Sequence, residues 1–100
     1  MTEDVLRWLQ AWYARHCDGD WEHSWGVRIE TLDNPGWHVK IDLAGTSLEG
    51  RSFTDVVEMR SEWDWVECRV EDDAFRGYGG AGTLTEILEI FRSWAESGPK

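Results

Sequence analysis

The chain has 100 residues, of which 41% are hydrophobic and eight are tryptophan, and its twenty acidic and ten basic residues give a net charge of -10. This length predicts a single domain, residues 1–100, with one core, and the aromatic content argues against disorder. An acidic surface repels nucleic acid and anionic membranes. Because the sequence shows neither an apolar run of ~20 residues nor a basic-then-apolar leader, it predicts a cytoplasmic protein.

The first predicted element is a helix over residues 3–16. Its apolar residues recur at helical spacing, namely Val5, Leu6, Leu9, Trp12 and Tyr13. Thr2 is the candidate cap, and the acidic first turn suits the positive end of the helix dipole. The segment CDGD at 17–20 ends the helix, with Gly19 available for a left-handed conformation.

Two segments with alternating apolar and polar side chains predict an antiparallel hairpin, over residues 25–32 and 37–43. If their apolar residues share one face, odd-numbered residues pair with odd-numbered ones, and the loop holds an odd number of residues unless a bulge intervenes. A three-residue loop, 34–36, would set Pro35 second, where it disfavours the helical conformation that the turn needs at Asn34. A five-residue loop, 33–37, is therefore favoured, which places Trp37 in the turn and partly exposed. The alternative is that Trp37 is the first core residue of its strand.

A less distinct third strand lies within residues 51–59, and a fourth is predicted over 63–71 with Trp65, Glu67 and Arg69 facing outward. The segment RGYGGAG at 76–82 is typical of a flexible link, and TLTE at 83–86 predicts a capping box that opens a second helix. The predicted fold class is α+β: a four-stranded, mostly antiparallel meander sheet with the N- and C-terminal helices packed on one face (α-β-β-β-β-α). The expected core includes Leu9, Trp12, Val27, Ile41, Leu88 and Phe91.

No motif for catalysis or metal binding is complete. GYGGAG at 77–82 matches G-x-G-x-x-G, but a dinucleotide loop also requires a parallel strand after the helix, and here the chain ends in the helix. The acids of CDGDWEH alternate like the start of a calcium loop, but His23 and Ile29 stand where such a loop needs glycine and glutamate. Cys17 and Cys68 lie in no motif, so buried reduced thiols are favoured over a disulfide. We therefore predict no enzymatic activity, no catalytic residue, no metal and no cofactor.

The eight tryptophans divide into core and surface candidates. Trp12 and Trp94 lie on helical stripes and Trp25 on the inner face of a strand, so packing explains them; Trp8 is compatible with either role. Exposed aromatic rings beside carboxylates suit a binding surface, and the candidate partner-binding residues are Asp18, Asp20, Trp21, Glu22, Asp33, Trp37, Trp65 and Glu67. A hairpin of about 25 Å would separate the first four from Asp33 and Trp37 unless the loop after the first helix folds back. The structural alternative is that Glu22 caps locally and Trp37 covers the sheet edge.

Three segments that span nearly the whole chain carry a resemblance to a known family: LQAWYARHCDGDWEHSWGVRIETLDNPGWHVKIDL, DWVECRVEDDAFRGYGG and LTEILEIFRSW. They resemble the immunity protein 53 family of bacterial polymorphic toxin systems. The most specific parts are a WE and a PGW motif, here Trp21-Glu22 and Pro35-Gly36-Trp37. The resemblance implies a small cytoplasmic bacterial protein that binds and neutralises a cognate toxin, and it offers the motif residues only as candidate contacts.

An acidic, aromatic-rich protein without a catalytic constellation suits an inhibitor of a basic toxin, such as a nuclease with a basic cleft. The expected partner is a cognate protein toxin rather than nucleic acid or a membrane, and the expected state is a monomer or weak dimer. A carbohydrate- or small-ligand-binding module that uses exposed tryptophans is the alternative, and its affinity would hardly change with salt. A nucleic-acid mimic is a third possibility, but it would align its acids along one ridge.

Overall fold

The computed structural model describes residues 4–97 of the chain and has an α+β fold with helices flanking the strands in sequence. The helices are α1 (Val5–His16), α2 (Trp21–Ser24) and α3 (Leu84–Glu96). The strands are β1 (Val27–Leu32), β2 (Gly36–Asp42), β3 (Val56–Met59), β4 (Trp65–Glu71) and β5 (Ala74–Gly79). None of the helices within residues 4–97 is long and apolar enough to cross a membrane.

The antiparallel sheet has five strands in the order β1-β2-β5-β4-β3, so the prediction of a four-stranded meander was wrong. The additional strand is β5, which lies at the centre of the sheet and includes most of the segment that was predicted to be a flexible link. Its Gly77 stands opposite Val39 of β2 on one side and opposite Cys68 of β4 on the other. The edges of the sheet are therefore β1 and β3.

The glycines of β5 allow close packing and do not mark flexibility. A Cβ atom at Gly77 would lie inside the contact distance of the Ile87 side chain in α3. A Cβ atom at Gly79 would overlap the Thr83 hydroxyl and stand 2.9 Å from the Trp65 carbonyl oxygen. Side chains at these positions would push α3 away from the middle of the sheet. The close contact between β5 and α3 therefore requires glycine at both positions.

The turn into β5 is formed by Asp72 and Asp73, which have positive φ angles of 55° and 56°. Two-residue hairpin turns that match the twist of the flanking strands need positive φ at both central positions, and aspartate tolerates this conformation better than most residues. The sequence DD between Glu71 and Ala74 is therefore a hairpin signal that the glycine-rich segment after it obscured.

The β1–β2 hairpin shows the predicted pairing of odd with odd residues, with Val27 opposite Ile41 and Ile29 opposite Val39. Its loop is residues 33–35, one position earlier than the three-residue loop considered from the sequence. Trp37 lies in β2 opposite Thr31, so the prediction that it belongs to the turn was wrong. It is a half-buried strand residue that packs against the core, as the alternative had it.

One hydrophobic core joins α1 and α3 to the inner face of the sheet. The ring of Phe91 in α3 contacts Trp12 of α1 and Phe75 of β5 at centroid distances of 5.3 and 5.1 Å. Of the six predicted core residues, Val27 is partly buried and the others are buried: Leu9, Trp12, Ile41, Leu88 and Phe91.

Two tryptophans that were predicted to lie in the core, Trp94 and Trp25, differ in their burial. Trp94 is half-buried against the core, and its indole nitrogen donates to the Ser52 carbonyl oxygen at 2.9 Å. Trp25 is exposed, contrary to the prediction, because β1 begins only at Val27 and Trp25 lies in the connection between α2 and the sheet. Strand alternation therefore does not extend far enough back to turn this side chain inward.

The helix ends differ in part from the predicted ones. The carboxylate of Asp4 caps α1 by accepting a hydrogen bond from the Arg7 backbone at 3.3 Å, whereas the predicted cap Thr2 lies outside the described residues. Gly19 has the expected left-handed conformation, with φ 89°. The predicted capping box of α3 was wrong, because the Thr83 side chain precedes the helix but accepts no hydrogen bond from it, and its hydroxyl donates to the Gly80 carbonyl oxygen.

Candidate functional site

The structure places the eight predicted partner-binding residues at opposite ends of the sheet and does not bring them together. Four lie in the segment before β1, namely Asp18, Asp20, Trp21 and Glu22. The other four lie in or beside the strand ends nearest the β1–β2 turn and the start of β4, namely Asp33, Trp37, Trp65 and Glu67. The six residues of β1 separate the groups by about 20 Å, so one compact site cannot use both.

Two of the three carboxylates of the first group, those of Asp18 and Glu22, are engaged within their own turn. Asp18 accepts hydrogen bonds from the backbone N–H groups of Trp21 at 2.9 Å and Asp20 at 3.0 Å, which hold its pKa below the usual value. Glu22 accepts from the backbone of Asp18 and Gly19 at 2.9 and 2.8 Å. Its own backbone N–H and these two donors lower its pKa. Both side chains therefore stabilise the connection from α1 to α2.

Trp21 is a core residue and not a displayed one. It is only 7% exposed, and its indole nitrogen donates to the carbonyl oxygen of Ala44, in the loop after β2, at 2.8 Å. Its ring packs against those of Trp12, Tyr13 and His16 on α1. Trp21 is therefore buried and not displayed as the sequence had indicated, while its role in partner binding stays a prediction. The WE motif fastens the segment before β1 to the rest of the fold.

The PGW motif has a corresponding role at the other end of the sheet. The Trp37 indole nitrogen donates to the Ala81 carbonyl oxygen at 2.7 Å, which ties β2 to the connection between β5 and α3. A Cβ atom at Gly36 would overlap the carbonyl oxygen of Gly79 in the neighbouring strand, so glycine is required there by close backbone approach. Together these contacts fix the β1–β2 turn against β5.

The most exposed large apolar side chains lie on a surface that the sequence prediction included only in part. We call this surface the acidic corner and define it as residues 55–65 together with Glu86 and Glu89 of α3. Three of its side chains are large, apolar and exposed, Val57 at 58%, Met59 at 65% and Trp63 at 63%. Of the predicted residues, Trp65 belongs to the acidic corner and Glu67 adjoins it. Both line a shallow depression of about 370 Å³ with Asn34, Met59, Ser61 and Glu62.

The acidic corner carries six carboxylates and one guanidinium, a net charge of -5, which is half of the -10 of the whole chain. The carboxylates belong to Asp55, Glu58, Glu62, Asp64, Glu86 and Glu89. The guanidinium is that of Arg60, which binds Asp64 at 2.9 Å and Glu86 at 2.6 Å. These contacts raise the pKa of Arg60 and lower that of Asp64. The only cationic side chain of this surface is thus already paired with two carboxylates of the same surface.

Trp63 is presented by a turn that is held at several points. The Ser61 hydroxyl accepts hydrogen bonds from the backbone of Trp63 at 3.2 Å and of Asp64 at 3.0 Å. Arg60 links the same turn to α3 through Glu86. An exposed aromatic ring on a fixed backbone loses little conformational entropy when a partner covers it, so Trp63 is the strongest candidate anchor in the described residues.

The open face of the sheet, on the side away from α1 and α3, is balanced in charge. Each of its basic side chains has an acidic counterpart on the same face, the basic ones being Arg28, Lys40, Arg69 and Arg76 and the acidic ones Glu30, Asp42, Glu67 and Glu71. Three ion pairs on this face are direct, since Arg69 binds both Glu67 and Glu71 and Lys40 binds Asp42. This face therefore does not account for the acidity of the chain.

His38 lies in the middle of the open face and stacks on Tyr78 with ring centroids 4.5 Å apart. Its Nε2 atom is buried without a hydrogen-bond partner. Burial lowers its pKa, Glu30 opposes this, and nearby Arg76, Lys40 and Arg28 add to it. Within residues 4–97 no group of three or more His, Cys, Asp or Glu side chains is placed to hold a metal ion, and Cys17 and Cys68 are both free thiols.

Sequence reasoning did not select Trp63, Met59 or Val57, which the structure displays on the acidic corner. In the sequence Trp63 stands between Glu62 and Asp64, and nothing local distinguishes it from Trp21, which has the same kind of neighbours. The available signal was the spacing Ser61-x-x-Asp64, which is typical of a side-chain-stabilised turn. Trp63 lies inside such a turn and is exposed, whereas Trp21 begins α2 and packs against the core.

Comparison with known proteins matches residues 6–96 to the family model of immunity protein 53. No curated protein and no solved structure gives a significant match. The matched range contains both motifs, α1 from its second residue and all of α3. This chain belongs to the immunity protein 53 family.

Proposed function

We propose that this protein is an immunity protein that binds a cognate bacterial toxin and neutralises it by occupying a basic surface of that toxin. The observation that carries the proposal is the family match over residues 6–96. The protein acts by stoichiometric binding in the cytoplasm of the cell that makes it, without catalysing a reaction.

The acidic corner supports a basic partner. Its net charge of -5 favours approach of a cationic surface such as the active-site cleft of a nuclease. Trp63 and Met59 supply apolar area that a partner can desolvate, and aromatic side chains of this kind dominate the binding energy of many interfaces. Carboxylates around an aromatic anchor thus combine fast encounter with slow dissociation.

The direct test is co-expression with the product of the upstream neighbouring gene. That product alone should arrest growth of a bacterial host, and this protein should restore growth and co-purify with it. Growth arrest that this protein does not relieve, with no complex formed, would contradict the proposal for that toxin.

The placement of the anchor is tested by Trp63→Ala with Trp25→Ala as the matched control. Both tryptophans are exposed, but Trp25 lies before β1, far from the acidic corner. Trp63→Ala should weaken binding of the neighbouring toxin by about 2 kcal/mol or more, roughly 30-fold in Kd, and Trp25→Ala should leave it unchanged. The reverse result would move the site to the other end of the sheet.

The salt dependence of binding distinguishes this function from carbohydrate binding. If charge steers the encounter, the stopped-flow association rate with the toxin should fall steeply as salt rises, while the dissociation rate changes little. Stacking of a neutral sugar on tryptophan would be almost insensitive to salt. An association rate that stays constant would remove charge from the mechanism.

A further inference from the structure

The strand β3 is an edge of the sheet, and in residues 4–97 no further strand covers its outer side. Antiparallel strands direct the backbone groups of successive residues alternately to the two sides. The Arg60 N–H donates to the Asp64 carbonyl oxygen within the β3–β4 hairpin. Counting back from Arg60, Glu58 and Val56 turn their backbone groups to β4, and Val57 and Met59 turn theirs outward. Two consecutive sites for strand pairing are thus presented at the acidic corner.

A groove of about 460 Å³ runs beside this edge, between β3 and α3. Its floor is apolar, with Phe53, Val56, Ile90 and Trp94, and its rim on α3 carries Glu86 and Glu89. On the opposite side of the strand, Val57 and Met59 expose apolar side chains toward the open face of the sheet. An added strand would therefore meet carboxylates and an apolar floor on one side, and apolar surface on the other.

We propose that the toxin adds an extended, basic segment to the free edge of β3, so that immunity proceeds by strand addition at the acidic corner. This inference rests on the proposed function. The excess of six carboxylates over one guanidinium identifies the occupant as a cationic segment. Alternation of side chains implies that its Lys or Arg residues face Glu58, Glu86 and Glu89, while its apolar residues face Val57 and Met59.

The other edge strand, β1, provides the natural comparison. A larger groove of about 630 Å³ lies beside it, but none of the residues that line it is charged: Leu6, Leu9, Gln10, Tyr13, Trp25, Gly26 and Val27. Because charge gives no preference for a basic segment there, β1 serves as the control edge. The Asp42 N–H donates to Gly26, so by the same alternation the backbone groups of Ile29 face outward, as those of Val57 do.

Proline at these two matched positions tests the proposal. Val57→Pro removes one outward N–H from β3, and Ile29→Pro removes one from β1. Edge strands tolerate proline at positions that do not donate to the sheet, so both variants should fold. Val57→Pro should weaken binding of the toxin encoded by the upstream neighbouring gene at least ten-fold, and Ile29→Pro should bind like the unaltered protein.

Hydrogen exchange on the unaltered protein gives a second measurement that needs no variant. Adding the same toxin should slow exchange of the Val57 and Met59 amides and leave that of Ile29 unchanged. If the protein binds the toxin but Val57→Pro binds equally well and these amides are not protected, strand addition at β3 is wrong while the immunity function stands. Loss of binding in Ile29→Pro alone would move the interface to β1, and failure of the unaltered protein to bind would overturn both proposals.

The charge of the occupant is tested with paired neutral substitutions. Glu58→Gln with Glu89→Gln removes two carboxylates from the acidic corner, and Asp20→Asn with Glu30→Gln removes two elsewhere. The first pair should lower the association rate several-fold more than the second at low salt. Equal effects of the two pairs would show that only the total charge matters and would contradict a basic segment at β3.

Discussion

Replacing Trp21 by alanine should damage the fold and not the binding surface. Trp21 is 7% exposed and donates a hydrogen bond from its indole nitrogen to the Ala44 carbonyl oxygen at 2.8 Å. Burial of an aromatic side chain of about 150–250 Å² corresponds to roughly 4–6 kcal/mol. This range is an upper bound, because alanine keeps the Cβ atom and the unfolded chain already buries part of its apolar surface.

The lost hydrogen bond adds to this cost, since the Ala44 carbonyl oxygen loses its partner, at about 1 kcal/mol. Large-to-small substitutions of buried tryptophan cost about 3–5 kcal/mol, and we expect about 4 kcal/mol for Trp21→Ala. A domain of this length changes its melting temperature by about 4–8 °C per kcal/mol, so a drop of about 16 °C or more should follow. Trp21→Phe keeps most of the packing and should cost about half as much.

Urea unfolding followed by near-ultraviolet circular dichroism measures these differences, with Trp63→Ala as the exposed control. The control should lie within about 0.5 kcal/mol of the unaltered protein, because surface substitutions rarely do more. A free energy of unfolding for Trp21→Ala that is as high as that of the control would refute the core assignment. Unchanged stability with lost toxin binding would restore Trp21 to the partner surface, as the sequence first indicated.

Three further predictions follow from the interior and the open face. Gly77→Ala should destabilise the protein by about 1–3 kcal/mol, because the new methyl group meets Ile87; thermal unfolding measures this, and an unchanged melting temperature would contradict close packing of α3 on β5. Burial lowers the pKa of His38 below its ordinary value of about 6.5, so the unfolded chain takes up the proton first as pH falls, and stability is lost below about pH 6.5. His38→Phe should be less sensitive to acid between about pH 7.5 and 5.5, and equal slopes for the two proteins would refute this. Burial raises the pKa of the Cys68 thiol to about 12, so a thiol reagent at about pH 8 should label Cys17 alone in the native protein, and rapid labelling of both cysteines would contradict the burial of Cys68.

Much of the fold was predictable because side-chain periodicity reports which face is buried. The apolar stripes of α1 and α3 identified both helices, and the odd-with-odd pairing of β1 with β2 followed from alternation alone. β5 was missed because its sequence lacks this periodicity. Gly77 and Gly79 have no side chains to alternate, and the reason for glycine there is the position of Ile87 and Thr83 in space, which local sequence does not contain.

The position of Trp37 was missed for a different physical reason. Parity limited the hairpin loop to an odd number of residues but left its start open. The loop at 33–35 makes Pro35 its last residue, and none of its residues has a positive φ, so it is not the common three-residue turn that ends in a left-handed residue. The hydrogen bond from Trp37 to Ala81, 44 positions away in sequence, holds this strand end and could not be read from the turn.

The WE and PGW motifs hold the scaffold together, and we do not expect the partner to bind through them. The indole nitrogens of Trp21 and Trp37 and the carboxylate of Glu22 all bond to backbone groups of the same chain. A toxin that took over these hydrogen bonds would have to break contacts that hold both ends of the sheet, and binding would then be opposed by part of the folding free energy. The Trp63 side chain is not part of the core, so a partner can cover it without breaking contacts that stabilise the fold. We therefore expect the WE and PGW motifs to maintain the scaffold, and the specificity for one toxin to lie in displayed residues outside them.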